Sequence, residues 1–529
     1  MTETIYDNAD VAESYAGVTT PLTFSFARYV YQKAYWNFAK MMGVRNEALQ
    51  DNAVIFEHTI EYIGGRVYNN ITNRDALFSL FSIYSFHSVT TLASLKWRVK
   101  EFSRYFEATF AELQSYDLDA MNVYELERLY RITEMKLMAE WKTPMANDFA
   151  ISVSTRAADT LFKRWLGSDD AFHYMQATES IPLASLDPGK EILHIVGAIK
   201  ADESINLIFT SKRSDSHVLY ELQTTHPTHV ITRAIEAYIK SYGARMPNEL
   251  KLESKTLWEE PAAFISLLRN AMSAPVRNAE DTRHHVHEAL ERLSPFKRGC
   301  LKWLLNWAGN SIHRREQTRF YRTLVYGHIR RIFLAIGRIM AEKGSIDNER
   351  DIFFLTTDEI FRSFDMKNSR ALLMPFITRR KKEYEQWKHV SLPNRIVSEE
   401  SIATLEKRFL HEESIATKNP ELTLKGRVAS RPRDVDTISG TALSIKQFDA
   451  SVDYTDKIIV TCQTDPGWTI LFPFIRGIIV ERGGMLSHAA IVARELNIPC
   501  IIGVDHATDV IETDMTLILD LQRGSIQHL

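Results

Sequence analysis

Apolar side chains recur three and four positions apart over most of the first part of the chain, which is the period of an amphipathic α-helix. The pattern is clearest over residues 101–114 and 123–142. Runs that alternate apolar and polar residues are scarce before residue 388. The pattern therefore predicts a large, mostly α-helical domain over residues 1–388, with a small β insertion at about 190–245.

The pattern of apolar residues changes near residue 420, where short β-branched runs separated by tight turns replace the helical period. The runs that predict strands are TALSI, KIIVTC, GIIVE, CIIGV and TLILD, and SHAAIVAREL predicts one helix among them. The predicted fold class is therefore multidomain, with a helical N-terminal domain followed by a small α/β (β/β/α) domain over residues 421–529. Between the two, SLPNR and its surroundings predict a linker over residues 389–420.

The composition is that of an ordinary globular protein, and it argues against two functional classes. Of the 529 residues, 45% are hydrophobic and 25% are charged, which is ample material for a core. The formal net charge of −3 gives no support to nucleic-acid binding. No apolar run reaches the length of about 18 residues that a membrane span needs. Three cysteines far apart indicate neither a disulfide framework nor a zinc cluster. We therefore expect a soluble, cytoplasmic protein that binds neither nucleic acid nor a membrane.

A glycine pair, a serine and a histidine stand between the predicted strand GIIVE and the predicted helix. Gly483 and Gly484 permit a turn without side chains, and Ser487 is a strong N-cap candidate. His488 then falls on the first helical turn, where backbone N–H groups and the helix dipole stabilise an anion and disfavour an imidazolium. A neutral imidazole there is suited to accept a phosphoryl group, so we expect its ring to be accessible, with room for a phosphate. The alternative from these residues alone is a turn, a cap and an exposed histidine.

The region around this loop resembles the phosphohistidine swivelling domain of the phosphoenolpyruvate-utilising enzymes. The resemblance rests on a Gly-Gly pair, two variable residues, Ser-His, a short helix ending in Ala-Arg-Glu and an Ile-Pro turn. All of these are present in GGMLSHAAIVARELNIP, and the upstream segment TDPGWTILFP matches as well. The resemblance implies that His488 transiently holds a phosphoryl group and that Gly483, Gly484 and Ser487 shape its phosphate nest.

Three other residues of this region have two open interpretations each. The resemblance places Thr464 and Asp465 on a loop beside His488, and the alternative for them is the turn chemistry of Asp-Pro-Gly. Arg494 lies about two turns beyond His488 on the predicted helix. It is either a structural salt-bridge partner or a catalytic group.

The preceding 400 residues are similar to the helical acceptor-binding domain in the rifampin phosphotransferase branch of this family. The segments that carry this looser resemblance are NADVAESYAGVTTPLTFSF, GGRVYNNI and the run from RREQTRFYRTLVYGH to FLTTDEI. In that run Arg315, Arg319 and Arg322 recur at helical spacing and share a face. Such a guanidinium cluster is suited to clamp a transferring phosphoryl group. The alternative is a solvent-exposed helix with internal ion pairs, which would include Glu316 and Arg330.

The resemblance also implies a nucleotide-binding partner. Family members usually carry an ATP-grasp module, but this sequence has no G-x-x-x-x-G-K-[ST] loop and no glycine-rich phosphate cradle. We expect no tightly bound cofactor, a separate ATP-grasp protein that supplies the phosphoryl group from ATP with Mg2+, and a small-molecule acceptor. Because the sequence ends soon after the histidine domain, we also expect no pyruvate-directed β/α barrel. HHVHEALE, residues 284–291, lacks the second histidine of an H-E-x-x-H zinc helix, so no metal site is predicted.

Together these inferences predict a dikinase-like phosphotransferase subunit with a phosphohistidine intermediate at His488. Its C-terminal domain would swing about residues 389–420 and deliver the phosphoryl group to an acceptor in the helical domain. Two alternatives stay open. One is an ATP-dependent condensing or ligating enzyme that uses the same phosphohistidine, as in the prodigiosin-type ligating enzymes that the chain resembles. The other is a non-catalytic phosphocarrier or regulatory module, against which a deep apolar cavity in the helical domain would argue.

Overall fold

The computed structural model divides the chain into two compact units. The described residues are 3–9, 11–80, 85–167, 187–273, 293–390, 392–411, 424–432, 435–446, 448–449, 452–485 and 487–528. The first unit comprises residues 1–157, 250–254 and 310–415, and the second comprises residues 158–249, 255–309 and 416–529. Among the described helices, none combines the length and the apolar character that crossing a membrane requires.

The first unit is mainly helical, as predicted. Its helices are Pro21–Met41, Asn46–Asp51, Ala53–Glu57, Ile71–Ser79, Phe86–Ala93, Leu95–Gln114, Val123–Thr133, Thr357–Ser363, Ser369–Lys388 and Ile402–His411, with parts of Lys142–Leu166 and Pro295–Glu342. Residues three and four apart lie on one side of each helix, so the apolar faces meet in a shared core. Phe26, Phe106, Tyr130, Tyr326 and Phe333 are buried there.

A four-stranded antiparallel sheet also lies in the first unit, and the sequence pattern did not predict it. Its strands are β1 (Thr4–Asp7), β2 (Ile60–Ile63), β3 (Arg66–Asn70) and β4 (Arg395–Ser398), in the order β2-β3-β1-β4. Strand β4 falls inside the predicted linker at 389–420, and the helix Ile402–His411 follows it. This differs from the prediction because Ile396 is buried beside Tyr6 and Tyr68, which fixes β4 against β1.

The helices of the second unit correct another prediction. They are Asp187–Ala201, Glu203–Thr210, Asp215–Thr225, Val230–Tyr242 and Ala262–Met272, with the remaining parts of the two long helices. The β insertion predicted at about 190–245 is therefore wrong. This stretch is rich in β-branched residues, which favour strands, but its buried positions have the helical period. Ile192, Ile195, Val196 and Ile199 are all buried on one face.

The C-terminal part of the second unit forms an eight-stranded mixed sheet. Its strands are β5 (Leu424–Lys425), β6 (Arg427–Ser430), β7 (Thr437–Ser444), β8 (Ile458–Thr461), β9 (Gly477–Val480), β10 (Cys500–Ile502), β11 (Thr516–Asp520) and β12 (Ser525–His528). They lie in the order β5-β12-β11-β7-β8-β9-β10-β6. The five predicted strands are all present, and the predicted helix is His488–Glu495.

Four neighbouring strands of this sheet, β7 to β10, are parallel. Residues 464–474 follow the carboxyl end of β8, and residues 483–487 follow that of β9. The helix His488–Glu495 then returns the chain to β10. Because the carboxyl ends of parallel strands meet at one edge of a sheet, the topology brings the two candidate segments together where α/β sheets bind ligands.

The helices and the sheet of the second unit share one core. Ile195 and Phe264 from the helices belong to the same buried cluster as Ile478, Ala490 and Cys500. Helical periodicity shows that a helix is amphipathic but not which element covers its apolar face. The single helical domain predicted over residues 1–388 therefore differs from the two units that the structure contains.

Candidate functional site

The loop at residues 483–487 has the local geometry that the sequence predicts. Gly483 has a φ of 124°, and a Cβ there would lie 2.9 Å from the Cβ of Ser487, so only glycine fits. Ser487 caps the helix His488–Glu495 and accepts a hydrogen bond from the Ala490 amide at 3.4 Å. A Cβ on Gly484 would meet open space among the described residues. Of the two glycines, Gly483 is therefore the one that the turn requires.

His488 begins the helix, as predicted, but its ring is buried. The residue is 1% exposed. Its Nδ1 lies 3.5 Å from Thr464 Oγ1, its Nε2 lies 3.1 Å from Thr469 Oγ1, and the Phe472 ring stands edge-on at 6.1 Å between centroids. The expectation of an accessible ring is therefore wrong for this arrangement, because residues 464–474 cover it. A phosphoryl group can reach either ring nitrogen only after this segment moves.

The two threonine hydroxyls beside the ring can both take part in hydrogen bonds with its nitrogens. The Thr469 hydroxyl donates to the Pro466 carbonyl at 2.7 Å, which leaves its oxygen to accept from Nε2–H of His488. Nδ1 faces the Thr464 hydroxyl at 3.5 Å. The predicted neighbour Thr464 is thus beside the ring, and Thr469 is a second neighbour that was not predicted.

Asp465 performs the turn chemistry that the sequence left open. Its Oδ1 accepts from the Gly467 amide at 2.8 Å and so caps the short helix Pro466–Ile470. Its Oδ2 accepts from the Asn248 amide at 2.5 Å. A Cβ on Gly467 would lie 2.2 Å from the backbone of Met246. The turn over His488 is therefore fastened to residues 246–248 of the same unit.

A buried charge cluster surrounds this fastening. The Nε of Arg245 lies 3.7 Å from Oε2 of Glu249, and both side chains are almost completely buried. Burial of Asp465, and then the charge of Glu249, raise the pKa of the Asp465 carboxyl well above its ordinary value. The two hydrogen bonds from backbone amides and the charge of Arg245 act in the opposite direction. At neutral pH the folded state therefore holds a proton that an exposed aspartate would release.

The free energy of unfolding should fall as the pH rises from about 4 towards neutral, because the pKa of Asp465 is raised in the folded state. Between the ordinary and the raised pKa of Asp465, the unfolded chain releases a proton that the folded chain keeps, so rising pH favours unfolding. Hydrogen–deuterium exchange at the Asn248 amide, corrected for its intrinsic pH dependence, should speed up over this range. Asp465→Asn should remove the dependence, whereas Asp453→Asn, at an exposed site, should keep it. The same slope in wild type and Asp465→Asn would contradict the assignment.

Arg494 has a structural role, with backbone carbonyls as its partners. Its Nε donates to the Ala429 carbonyl at 2.6 Å, and its Nη1 donates to the Met485 carbonyl at 2.8 Å. One guanidinium group therefore ties the middle of the 483–487 loop to strand β6. These two carbonyl hydrogen bonds are a structural role of the kind that the sequence left open for Arg494.

Arg494→Ala should destabilise the second unit by about 2–4 kcal/mol, because two carbonyls lose a charged donor. Met485 and its neighbours should also exchange amide hydrogens faster, since the loop loses its tether. Arg523→Ala removes an exposed arginine from the same unit and serves as the control. Denaturant unfolding and hydrogen exchange measure the two effects. Equal stability of the two variants would show that Arg494 does not hold the loop.

The first unit contains a cavity of about 310 Å³, and three helices form most of its wall. Each helix contributes residues three and four apart: Val30, Tyr31, Ala34, Tyr35 and Phe38 from Pro21–Met41, Met145, Asp148, Phe149 and Ser152 from Lys142–Leu166, and Arg315, Thr318, Arg319, Arg322, Val325 and Tyr326 from Pro295–Glu342. The three arginines that the sequence singled out therefore face one cavity. They are not on a solvent-exposed helix face.

Ion pairs hold these arginines in place. Arg319 lies 3.4 Å from Glu13 and 3.7 Å from Glu316, and Arg315 lies 3.5 Å from Glu316. Burial, and then the charge of Arg319, lower the pKa of Arg315. Arg330 lies on the same helix but is not among the residues that line the cavity. It donates to the Leu252 carbonyl and stacks on Phe353, at 5.0 Å from the ring centroid.

Two residues of these sites could not be predicted from any feature of the sequence. Thr469 lies in TDPGWTILFP, where a single threonine has many structural roles. Asp148 lies on a helix far along the chain from the arginines, and only the packing of that helix brings it to the cavity. No local motif contains Thr469 together with His488, or Asp148 together with the arginines.

A metal site finds no support in the described part of the chain, where no three histidine, cysteine or acidic side chains come together as a metal would require. The segment HHVHEALE, at which we considered and rejected a zinc helix, lies outside the described residues.

Two family matches cover the parts of the chain that contain the histidine loop and the helices of the second unit. Residues 454–524 match the family described as the mobile domain of PEP-utilising enzymes. Residues 145–316 match the fourth domain of rifampicin phosphotransferase. Both matches confirm the resemblance and the layout that the sequence predicted.

The curated relatives come from the same group of enzymes. The chain is 26% identical to "Rifampicin phosphotransferase" of Bacillus cereus over 389 residues, which are 69% of this chain and 42% of the relative. It is 27% identical to "Prodigiosin synthesizing transferase PigC" of Serratia marcescens over 350 residues, 65% of this chain and 38% of the relative. It is 44% identical to "Probable phosphoenolpyruvate synthase" of Staphylothermus marinus over 70 residues, 13% and 8% of the two chains. The chain thus spans about two fifths of the length of the first two.

Proposed function

We propose that this chain provides the carrier and acceptor parts of a phosphotransferase. His488 is transiently phosphorylated and passes the phosphoryl group to a small molecule in the cavity of the first unit. The observation that carries the proposal is the position of His488, which begins a helix directly after a turn that requires Gly483. Similarity to the mobile domain of PEP-utilising enzymes supports the same role.

A nucleotide-binding protein supplies the phosphoryl group. An ATP-grasp protein separate from this sequence phosphorylates His488 from ATP with Mg2+. Residues 464–474, which bury the ring in the structure, move first and uncover it for this reaction. A phosphohistidine suits this role because the N–P bond keeps the potential for transfer while the carrier moves from donor to acceptor.

Transfer of the phosphoryl group to the acceptor uses the arginines that line the cavity. Arg315, Arg319 and Arg322 neutralise the charge that spreads over the phosphoryl oxygens during transfer. Nη2 of Arg315 and Nε of Arg322 are buried without a hydrogen-bond partner among the described residues. Such buried donors cost stability, so their presence supports a role in binding an anionic group.

The experiment is incubation of the chain with a candidate ATP-grasp protein and ATP labelled separately at the β and the γ phosphate. Acid-labile label on His488, located by mass spectrometry of peptides, is the expected result. The labelled position identifies which phosphate is donated. Label on another residue, or on none with any nucleotide-binding partner of the relatives' type, would refute the proposal.

A condensing reaction is the second candidate, because one relative is named as a prodigiosin synthesizing transferase. In that reaction, phosphorylation of one substrate activates it for attack by another. A stable phosphorylated product supports the phosphotransferase, and a ligated product with free phosphate supports the condensing enzyme. The cavity and its aromatic wall argue against a carrier without an acceptor of its own.

A further inference from the structure

The cavity of the first unit combines an aromatic wall with a charged end. Tyr31, Phe38, Phe78, Trp141 and Phe149 all line it. Aromatic side chains favour flat, apolar ligands, which they contact by stacking or edge-on. The volume of about 310 Å³ equals that of about ten water molecules in the liquid and lies at the small end of the range for ligand pockets. One or two fused rings fit this space.

The charged end contains four guanidinium groups and one accessible carboxylate. Arg74, Arg315, Arg319 and Arg322 line the cavity, and Asp148 is the single acidic residue among the described lining residues. Glu13 and Glu316 form ion pairs with the arginines, and neither is among the described residues that line the cavity. The side chain of Asp148, by contrast, keeps surface open to the cavity. It is therefore the carboxylate that a ligand can reach.

The surroundings of Asp148 suit it to accept a proton. The protein around the cavity raises the pKa of this carboxyl, and the charges of Arg315, Arg319 and Arg322 limit the rise. A carboxylate with a raised pKa is a stronger base than one in water. The same arginines surround the place where an incoming phosphoryl group would be neutralised.

We propose that Asp148 is the base for transfer to a small aromatic acceptor that carries a hydroxyl group. This inference rests on the proposed function. The acceptor oxygen forms a bond to phosphorus as the bond between phosphorus and the His488 ring nitrogen breaks. The hydroxyl proton passes to the Asp148 carboxylate, and the electron pair of the broken bond returns to the imidazole. The aromatic part of the acceptor packs against the wall, and its hydroxyl points to Asp148.

Binding of 2-naphthol tests the contact without any phosphoryl transfer. Calorimetry at neutral pH should give binding roughly tenfold or more tighter for 2-naphthol than for 2-methoxynaphthalene, which cannot donate to a carboxylate. Asp148→Asn should lower this ratio severalfold, because a neutral amide oxygen accepts a weaker hydrogen bond than a charged carboxylate does. Asp159→Asn changes another carboxylate on the same helix and should keep the wild-type ratio. Equal binding of the two probes to wild type would overturn the inference.

Transfer provides the second measurement. The chain is phosphorylated on histidine with phosphoramidate, and formation of 2-naphthyl phosphate is followed by ³¹P NMR. Asp148→Asn should keep its phosphohistidine and transfer about 100-fold or more slowly, with loss of the acidic limb of the pH–rate profile. Transfer at the wild-type rate would overturn the role of Asp148 as a base. Failure to label His488 would instead count against the proposed function, so the two ideas fail separately.

Discussion

His488→Ala is expected to reduce acid-labile phosphoryl label on the chain to background and to abolish transfer to any acceptor. The reason is chemical, because the imidazole nitrogen forms the bond to phosphorus and alanine has no nucleophile. The helix should survive, since its N-cap is Ser487 and not the histidine. Radiolabel after acid and alkaline treatment measures the phosphohistidine, and far-UV circular dichroism checks the fold.

A matched control for this variant lies in the same domain. His506 is exposed, with 76% of its side chain accessible, and it follows strand β10. His506→Ala should keep full label and full transfer. Acid-labile label that persists in His488→Ala, or that disappears in His506→Ala, would show that the carrier is a different histidine.

Arg319→Lys is expected to slow transfer to the acceptor by about 100-fold, the lower end of what loss of one positioned donor costs in acyl transfer. Lysine keeps the charge that pairs with Glu13 and Glu316, so the buried carboxylates stay compensated. It loses the planar fork that binds two phosphoryl oxygens together. Labelling of His488 should be unaffected, because the arginine acts after the carrier is loaded.

The measurement for this variant is the decay of pre-formed phosphohistidine when an acceptor is added. Arg338→Lys is the control, since Arg338 lies on the same helix but is half exposed and pairs with Asp119. It should transfer at the wild-type rate. If Arg319→Lys also transfers at that rate, the arginines hold the cavity together without contacting the phosphoryl group.

Local patterns predicted the histidine loop well. A glycine with positive φ, a serine cap and a helix of small apolar residues are all short-range features, so Gly483, Ser487 and His488 lie where the sequence put them. The same patterns failed at residues 190–245, where β-branched residues suggested strands. Tertiary packing overrides such propensities when the apolar positions fit one face of a helix.

Burial was less predictable than secondary structure. The turn role of Asp465 was one of two open alternatives in the sequence, and its bond to the Asn248 amide joins residues 217 positions apart. Arg315, Arg319 and Arg322 share a helix face in the sequence, and that face could have pointed to water or to a cavity. This face points to the cavity because of the way in which the other helices pack around it.

The sequence by itself determined that His488 begins a helix capped by Ser487, because a helix start and its cap depend on bonds within a few residues. It also determined that the second part of the chain contains a small α/β sheet. The tertiary structure alone decided that Thr469 and Phe472 cover the His488 ring, and that Asp148 joins the arginines in one cavity. These contacts depend on how distant segments pack, and side-chain spacing along the chain does not encode them.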